Sequence, residues 1–205
     1  MVDYGIVGKL QHKHAGIILA AGASSRMGEP KALLRTGSGD PLAWHQAAML
    51  LRAGVSETLV VLGHDHEHIA GELGAGDARI AVNPDWPSGR VGSLQTGLRA
   101  CGDVAGAVIL PVDTVGVKPE TIHDLLAFAE TRTSLAVRPF HGGVPGRVLW
   151  ISARLAGEVL QMKPDPSLRF DEWITDWVVR YDVDDAAILN NTNTPDDWQR
   201  VRNLT

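Results

Sequence analysis

From Leu19 to Lys31 the chain reads Leu-Ala-Ala-Gly-Ala-Ser-Ser-Arg-Met-Gly-Glu-Pro-Lys. Small residues at Gly22, Ala23, Ser24, Ser25 and Gly28 let backbone N–H groups approach an anion closely, and Arg26 and Lys31 add fixed positive charge. That combination suits a polyphosphate. A Walker A loop would end in Gly-Lys-Ser/Thr and a dinucleotide fingerprint would space its glycines as G-x-G-x-x-G, and neither pattern is present. An incidental surface loop is the competing reading. The apolar strand expected immediately before the loop, together with two basic residues within it, favours the phosphate cradle.

Other polar residues fall at comparable positions. Asp113 leaves the apolar run Ala107 to Leu110 and is followed by Thr114. A carboxylate there is a natural hard-oxygen ligand for Mg²⁺, which takes one or two carboxylates and fills its other positions with phosphate and water; alternatively it caps the turn toward the next helix. Asn83-Pro84-Asp85-Trp86, with Gly89, Gly92 and Ser93, precedes a helix whose start, expected at Gly92 and Ser93, offers free backbone donors. A Pro-Gly turn packed by Trp86 is the plainer alternative. Asn191 to Asp197 reads as a helix start with Thr194 as its N-cap. His64, Asp65, His66 and His68 crowd five positions but lack the mid-helix zinc spacing, and a solvated loop is expected. Cys101 excludes an internal disulfide and is expected to lie in a helix and pack in the core rather than act as a nucleophile.

These residues must be positioned by a sheet. Apolar runs at 16–21, 58–62, 79–82 and 106–110 read as buried strands, alternating with helices at 41–53, 67–73, 93–100 and 119–130. That alternation predicts an α/β fold with a mostly parallel sheet covered on both faces. Further strands are expected at 135–138, 147–151 and 178–183, and helices at 153–161, 168–177 and from Pro195 onward. Ligands of such sheets bind beyond the strands' carboxyl ends, where the loops after residues 21, 62, 82 and 110 lie. Length suits one domain, 1–205, with residues 1–14 an extra or poorly ordered N-terminal segment. A net charge of −5 argues against a nucleic-acid surface, and no apolar run is long enough for a membrane span. The partners expected are small molecules, in the cytoplasm.

The thirteen-residue string resembles the signature L-A-A-G-x-S-x-R-M-G-x-P-K of the molybdenum-cofactor nucleotidyltransferases, a branch of the Rossmann-like nucleotidyltransferases. The stretch Leu110-Pro111-Val112-Asp113-Thr114 is similar to that family's L-P-V-D-T-P. The stretch from Asn83 is similar to its N-x-x-W motif, and Asn191 to Asp197 resembles its closing N-x-N-T-P-E-D. The three main motifs occur in the family's order. The resemblance implies a three-layer Rossmann-like nucleotidyltransferase fold and a reaction that moves a nucleoside monophosphate onto molybdopterin or molybdenum cofactor with loss of pyrophosphate. It implies that Leu19, Ala20, Ala21 and Gly22 line the base and ribose. Arg26 would contact the outer phosphates and Lys31 the α-phosphate, while Asn83, Gly92 and Ser93 would border the nucleotide. Asp113, helped by Asn193, would hold Mg²⁺. Thr114, Arg147 and Asn191 would face the acceptor. Leu-Ala-Ala-Gly resembles pyrimidine users, so CTP is expected before GTP or UTP.

The chain departs from the pattern twice. Val115 stands where the family has proline, and Gly146-Arg147-Val148 stands where it has Gly-His-Pro. Both departures lie at the acceptor end, which leaves a sugar phosphate or phospho-acid acceptor, or a guanylyltransferase, as alternatives. A nucleotide-binding regulator without turnover is the non-enzymatic alternative.

Overall fold

A computed structural model describes residues 10–163, 165 and 167–205. Of the expected N-terminal segment 1–14, positions 1–9 lie outside the described residues. The N–H groups of Gln11 and His12 donate to the Glu130 carboxylate, and His14 opens the first strand.

Strands β1 (His14–Ala20), β2 (Glu57–Leu62), β3 (Arg79–Val82) and β4 (Gly106–Pro111) run parallel in the order β3-β2-β1-β4. Their branched, nearly continuous apolar sequences follow from burial on both sides. Along β1, Ala15 and Ile17 enter one core, while Ile18 and Ala20 enter the other. Such period-2 alternation divides the molecule into three layers. On one face lie α1 (Leu42–Arg52), α2 (His66–Leu73) and α4 (Pro119–Glu130); on the other lie α3 (Arg90–Ala100) and α5 (Ala153–Gln161). Two glycines permit the close packing of these layers. A Cβ on Gly16 would come 2.8 Å from Leu50 Cδ1, and one on Gly97 would come 2.6 Å from Ile17 Cγ2.

Beyond β4 the sheet changes character. The strand β7 (Leu149–Ser152) pairs antiparallel with both β4 and β5 (Ala136–His141), and β8 (Val178–Asp182) runs parallel along β5. Between β5 and β7 the chain makes a hairpin through Gly142 and Gly143, both at positive φ, to the two-residue β6 (Val144–Pro145). That hairpin was not expected. The observed β7 also starts two residues later than the expected strand at 147, leaving Gly146 to Val148 as a bulge between β6 and β7. Bulges re-aim side chains beside functional sites, and here the residue re-aimed is Arg147.

The helix expected over 168–177 shrinks to α6 (Phe170–Trp173) followed by a 3-10 turn at Thr175–Trp177. The Thr175 hydroxyl donates to the Asp171 carbonyl at 2.8 Å, a local bond of the kind that competes with regular helix. The closing helix α7 (Pro195–Val201) forms as its caps dictate. Thr194 Oγ1 accepts the Asp197 N–H, and the Asp197 carboxylate returns the favour at the Thr194 N–H, completing a capping box. No described helix is long and apolar enough to cross a membrane.

Candidate nucleotidyl-transfer site

The first loop starts where β1 ends at Ala20. Ser24 takes a left-handed conformation (φ 51°) that a non-glycine residue adopts only when held there. It is held twice: its hydroxyl accepts the Lys31 N–H at 3.2 Å, and its carbonyl accepts the Met27 N–H at 2.8 Å. Met27 is buried and anchors the loop, while Arg26 stays exposed with no partner among the described residues. The loop is therefore folded back on itself, with Lys31 turned inward and Arg26 outward.

Lys31 Nζ donates to Asp113 Oδ2 at 3.2 Å and to Asn193 Oδ1 at 2.8 Å. Three residues spread over most of the chain thus meet at one ammonium group. Each is placed by backbone contacts. The Thr192 N–H donates to the Asp113 carbonyl at 2.9 Å, and Asn190 Nδ2 donates to the Val115 carbonyl at 2.7 Å, lacing the closing segment to the loop after β4. Buried Gln46, on the apolar face of α1, gives its Nε2 to both the Val112 and Thr114 carbonyls at 3.1 Å. It clamps the backbone on either side of Asp113.

Asp113 is closed from its other side as well. Arg147 Nη2 donates to Asp113 Oδ1 at 3.1 Å, and Arg147 Nε donates to Thr114 Oγ1 at 3.3 Å. Thr114 is buried, and its hydroxyl serves to hold Arg147. Asn191 is exposed and its Oδ1 accepts from Asn193 Nδ2 at 2.7 Å, which turns the Asn193 carbonyl oxygen toward Lys31. The Asn193 N–H is in turn accepted by Asp197 at 3.0 Å. Backbone N–H donors and the Thr194 side chain push the Asp197 carboxyl pKa down to about 2.

Three adjoining hollows make one groove. The first, of ≈ 250 Å³, includes Leu19, Ala21, Gly22, Trp86, Arg90 and Ser93; the second includes Leu19, Ala20, Gly22, Lys31 and Asp113; the third includes Ser24, Ser25, Arg26, Lys31 and Asn193. All of Leu19 to Gly22 line it. At its far end the expectations need adjustment. α3 starts at Arg90, earlier than Gly92 and Ser93, so the open N–H donors are those of its first turn, ending at Gly92. Asn83 is buried and spends its amide internally, donating to Ser93 Oγ at 3.0 Å and accepting the Asp85 N–H at 3.1 Å. It acts on the groove through Ser93, which lines the first hollow. Gly63 allows the wall to close, since a Cβ there would lie 2.5 Å from Trp86 Cβ and 2.7 Å from the Ala21 carbonyl oxygen.

Gln46, Arg90 and Asp171 were not foreseen. Arg90 Nη1 donates to Asp171 Oδ2 at 2.8 Å and Arg138 Nη2 to Asp171 Oδ1 at 2.6 Å. Burial would raise the Asp171 pKa, but the two guanidinium groups overcome it and the pKa is lowered. A cation on the first turn of a helix, set against the helix dipole, was the available signal for Arg90. The histidine-rich stretch behaves as expected of a loop and helix start: the exposed His64 meets Trp86 edge to face at 5.3 Å between centroids, and α2 begins at His66. Cys101 sits just past α3, half-buried, and burial pushes its thiol up to about 11, which leaves little thiolate for nucleophilic chemistry.

The family model of the MobA-like NTP transferase domain matches residues 16–174, from β1 through α6. The chain belongs to that family. Among curated relatives, nicotine blue oxidoreductase of Paenarthrobacter nicotinovorans is 35% identical over 112 residues, covering 54% of this chain and 54% of the relative. Molybdenum cofactor guanylyltransferase of Xanthomonas euvesicatoria is 35% identical over 123 residues, covering 60% of this chain and 59% of the relative. The chain thus spans little more than half the length of either. Its fold matches that of Rv0371c of Mycobacterium tuberculosis, solved in complex with manganese, with a TM-score of 0.72 at 20% identity, over 92% of this chain and 97% of the other. This family has a mixed α/β frame, and Lys31, Asp113 and the Leu19 to Gly22 loop stand on it at the carboxyl edge of β1 and β4.

Proposed function

We propose that the chain is a Mg²⁺-dependent nucleotidyltransferase that moves a nucleoside monophosphate from CTP onto a phosphorylated acceptor, molybdopterin or molybdenum cofactor, in the cytoplasm. The observation that carries the reading is the convergence of Lys31, Asp113 and Asn193 at the edge of the groove formed by the three adjoining hollows.

The donor set suits a hard cation. Asp113 offers a carboxylate and Asn193 an amide oxygen, and no group of three or more His, Cys, Asp or Glu side chains that could form an all-protein metal cage occurs among the described residues. Mg²⁺ is typically held by one or two carboxylates together with substrate phosphates. Bound there, the cation would supply charge neutralisation at the phosphates. This chain's own residues do the rest. Lys31 grips the α-phosphate and Arg26 the outer phosphates, with the base lying over Leu19 to Gly22. An acceptor phosphate is largely dianionic near neutral pH, its second pKa being about 6, so no general base is required. Its oxygen bonds to the α-phosphorus as the bond to the bridging oxygen breaks, and the electron pair leaves with pyrophosphate. Positioning and charge complementarity supply the catalysis.

A second reading concerns the acceptor alone. Arg147, bonded to Asp113 and Thr114, brings a planar fork suited to a phosphate or carboxylate to the acceptor end, which favours a sugar phosphate or phospho-acid.

Pyrophosphate release, assayed with CTP, GTP, UTP and ATP plus Mg²⁺ and each acceptor class, tests the proposal. Release with CTP and molybdopterin is expected, and Lys31→Ala should abolish it without lowering the melting temperature. Tight nucleotide binding with no release from any triphosphate would instead make the chain a regulator.

A further inference from the structure

Arg90 occupies a position that electrostatics alone disfavours, the first residue of α3, where the helix dipole repels a cation. Its side chain lines the hollow shared with Leu19, Gly22, Trp86 and Ser93. One edge of the guanidinium is tethered, with Nη1 on Asp171 at 2.8 Å and the Phe170 ring centroid 6.0 Å from its central carbon. The tether is itself fixed, because the other Asp171 oxygen accepts from Arg138, a side chain only 13% exposed on β5. Among the described residues nothing takes the remaining Arg90 donors. A guanidinium anchored on one edge and open on the other is a pre-organised fork.

We propose that Arg90 reads the base of the bound nucleotide and selects cytosine or guanine over adenine and uracil. Cytosine presents O2 beside N3 and guanine O6 beside N7, each a pair of adjacent acceptors that two N–H donors can take together. Adenine sets an amino donor beside N7 and N1, and uracil sets N3–H between its two carbonyls, so neither accepts the fork. Arg138 and Asp171 act as positioning residues for it. The inference rests on the nucleotide-binding reading of the groove and adds to it a stated base preference.

Calorimetric binding of CTP, GTP, UTP, ATP and inorganic pyrophosphate to the full chain tests it, with Arg90→Leu and Arg90→Lys as variants. Lysine keeps the charge at the helix start but lacks the fork, so it separates base reading from a structural effect. Wild type should prefer CTP and GTP. Both variants should lose about fivefold to about 150-fold for those two, the range for one bidentate base contact, with ATP, UTP and pyrophosphate unchanged. Equal losses for all five ligands would make Arg90 a phosphate contact and overturn the proposal, as would an unchanged preference. If wild type binds no nucleotide at all, the nucleotide reading falls and this inference with it; if it binds all four alike, only this inference falls.

Discussion

Arg147 and Asp113 form a direct ion pair, with Nη2 3.1 Å from Oδ1, while Lys31 takes the other carboxylate oxygen. Both oxygens of the residue proposed to hold a cation are thus committed to protein cations. A divalent ion bound at Asp113 therefore competes with both of them for the carboxylate. Arg147 is the more exposed of the two and the more readily moved.

Arg147→Gln should therefore tighten binding of Mn²⁺, used as a spectroscopic stand-in, several-fold in titrations followed by electron paramagnetic resonance. The same variant should raise KM for the acceptor, because the fork at that end is gone. Unchanged Mn²⁺ affinity would show that the ion pair does not compete with the metal.

The closing segment reaches the groove through the capping box of α7. Thr194→Ala removes the N-cap and should cost about 1 kcal/mol. For a chain of this size that lowers the melting temperature by roughly 2–4 °C. Asn193 should also lose its fixed orientation toward Lys31, so activity should fall more than stability does. The companion Asp197 carboxyl is held down to about 2 by hydrogen bonds that only the ionised form accepts fully. Its folded pKa lies below the unfolded value, so its contribution is present at neutral pH and is lost as pH falls toward 2.

What could be read from the chain and what could not divide along a physical line. The phosphate loop and the α7 cap are contiguous strings whose chemistry requires fixed spacing, so Ser24, Lys31 and Thr194 were legible where they stand. The parallel half of the sheet was legible too, because burial on both faces forces apolar runs. Gln46 and Arg90 are single polar residues on helices, and nothing in their spacing says which groups they will meet. Gln46 did carry a weak signal, a polar residue between the buried Ala43 and Ala47 on the apolar face of α1. Asp171 was hidden by a helical pattern that the fold breaks after four residues. The β5–β6 hairpin is marked in the sequence only by Gly142-Gly143, a two-glycine turn signal.

Gln46 offers a test of how the loop after β4 is held. Gln46→Leu keeps volume but leaves the Val112 and Thr114 carbonyls without their donor, at a cost of about 1–3 kcal/mol for each buried acceptor left unsatisfied. The larger effect should be on turnover, because Asp113 lies between the two carbonyls. Gln46→Glu should be no rescue, since a carboxylate cannot donate to either carbonyl when ionised. Equal turnover in wild type and Gln46→Leu at a temperature where both are folded would remove Gln46 from the site.

The last prediction concerns pH and the start of β1. His14 is buried, its Nδ1 accepts from Trp150 Nε1 at 3.3 Å, and its Nε2 lies 3.1 Å from Glu130 Oε1. Indole can only donate, so the neutral ring carries its proton on Nε2 and gives it to the carboxylate. A second proton would have to go on Nδ1, against the indole N–H. Burial lowers the His14 pKa below 6.5, outweighing the Glu130 contacts that raise it; burial also lowers His45, with nearby Arg52 adding to the effect. The unfolded chain therefore takes up these protons first as pH falls below about 6.5, and the folded state loses stability through that window. Melting temperature should be flat from pH 8 to 7 and decline from about 6.5 downward. His14→Gln should make that decline shallower but not abolish it, because His45 remains. A decline of the same steepness in the variant would mean that His14 does not stay neutral in the folded protein.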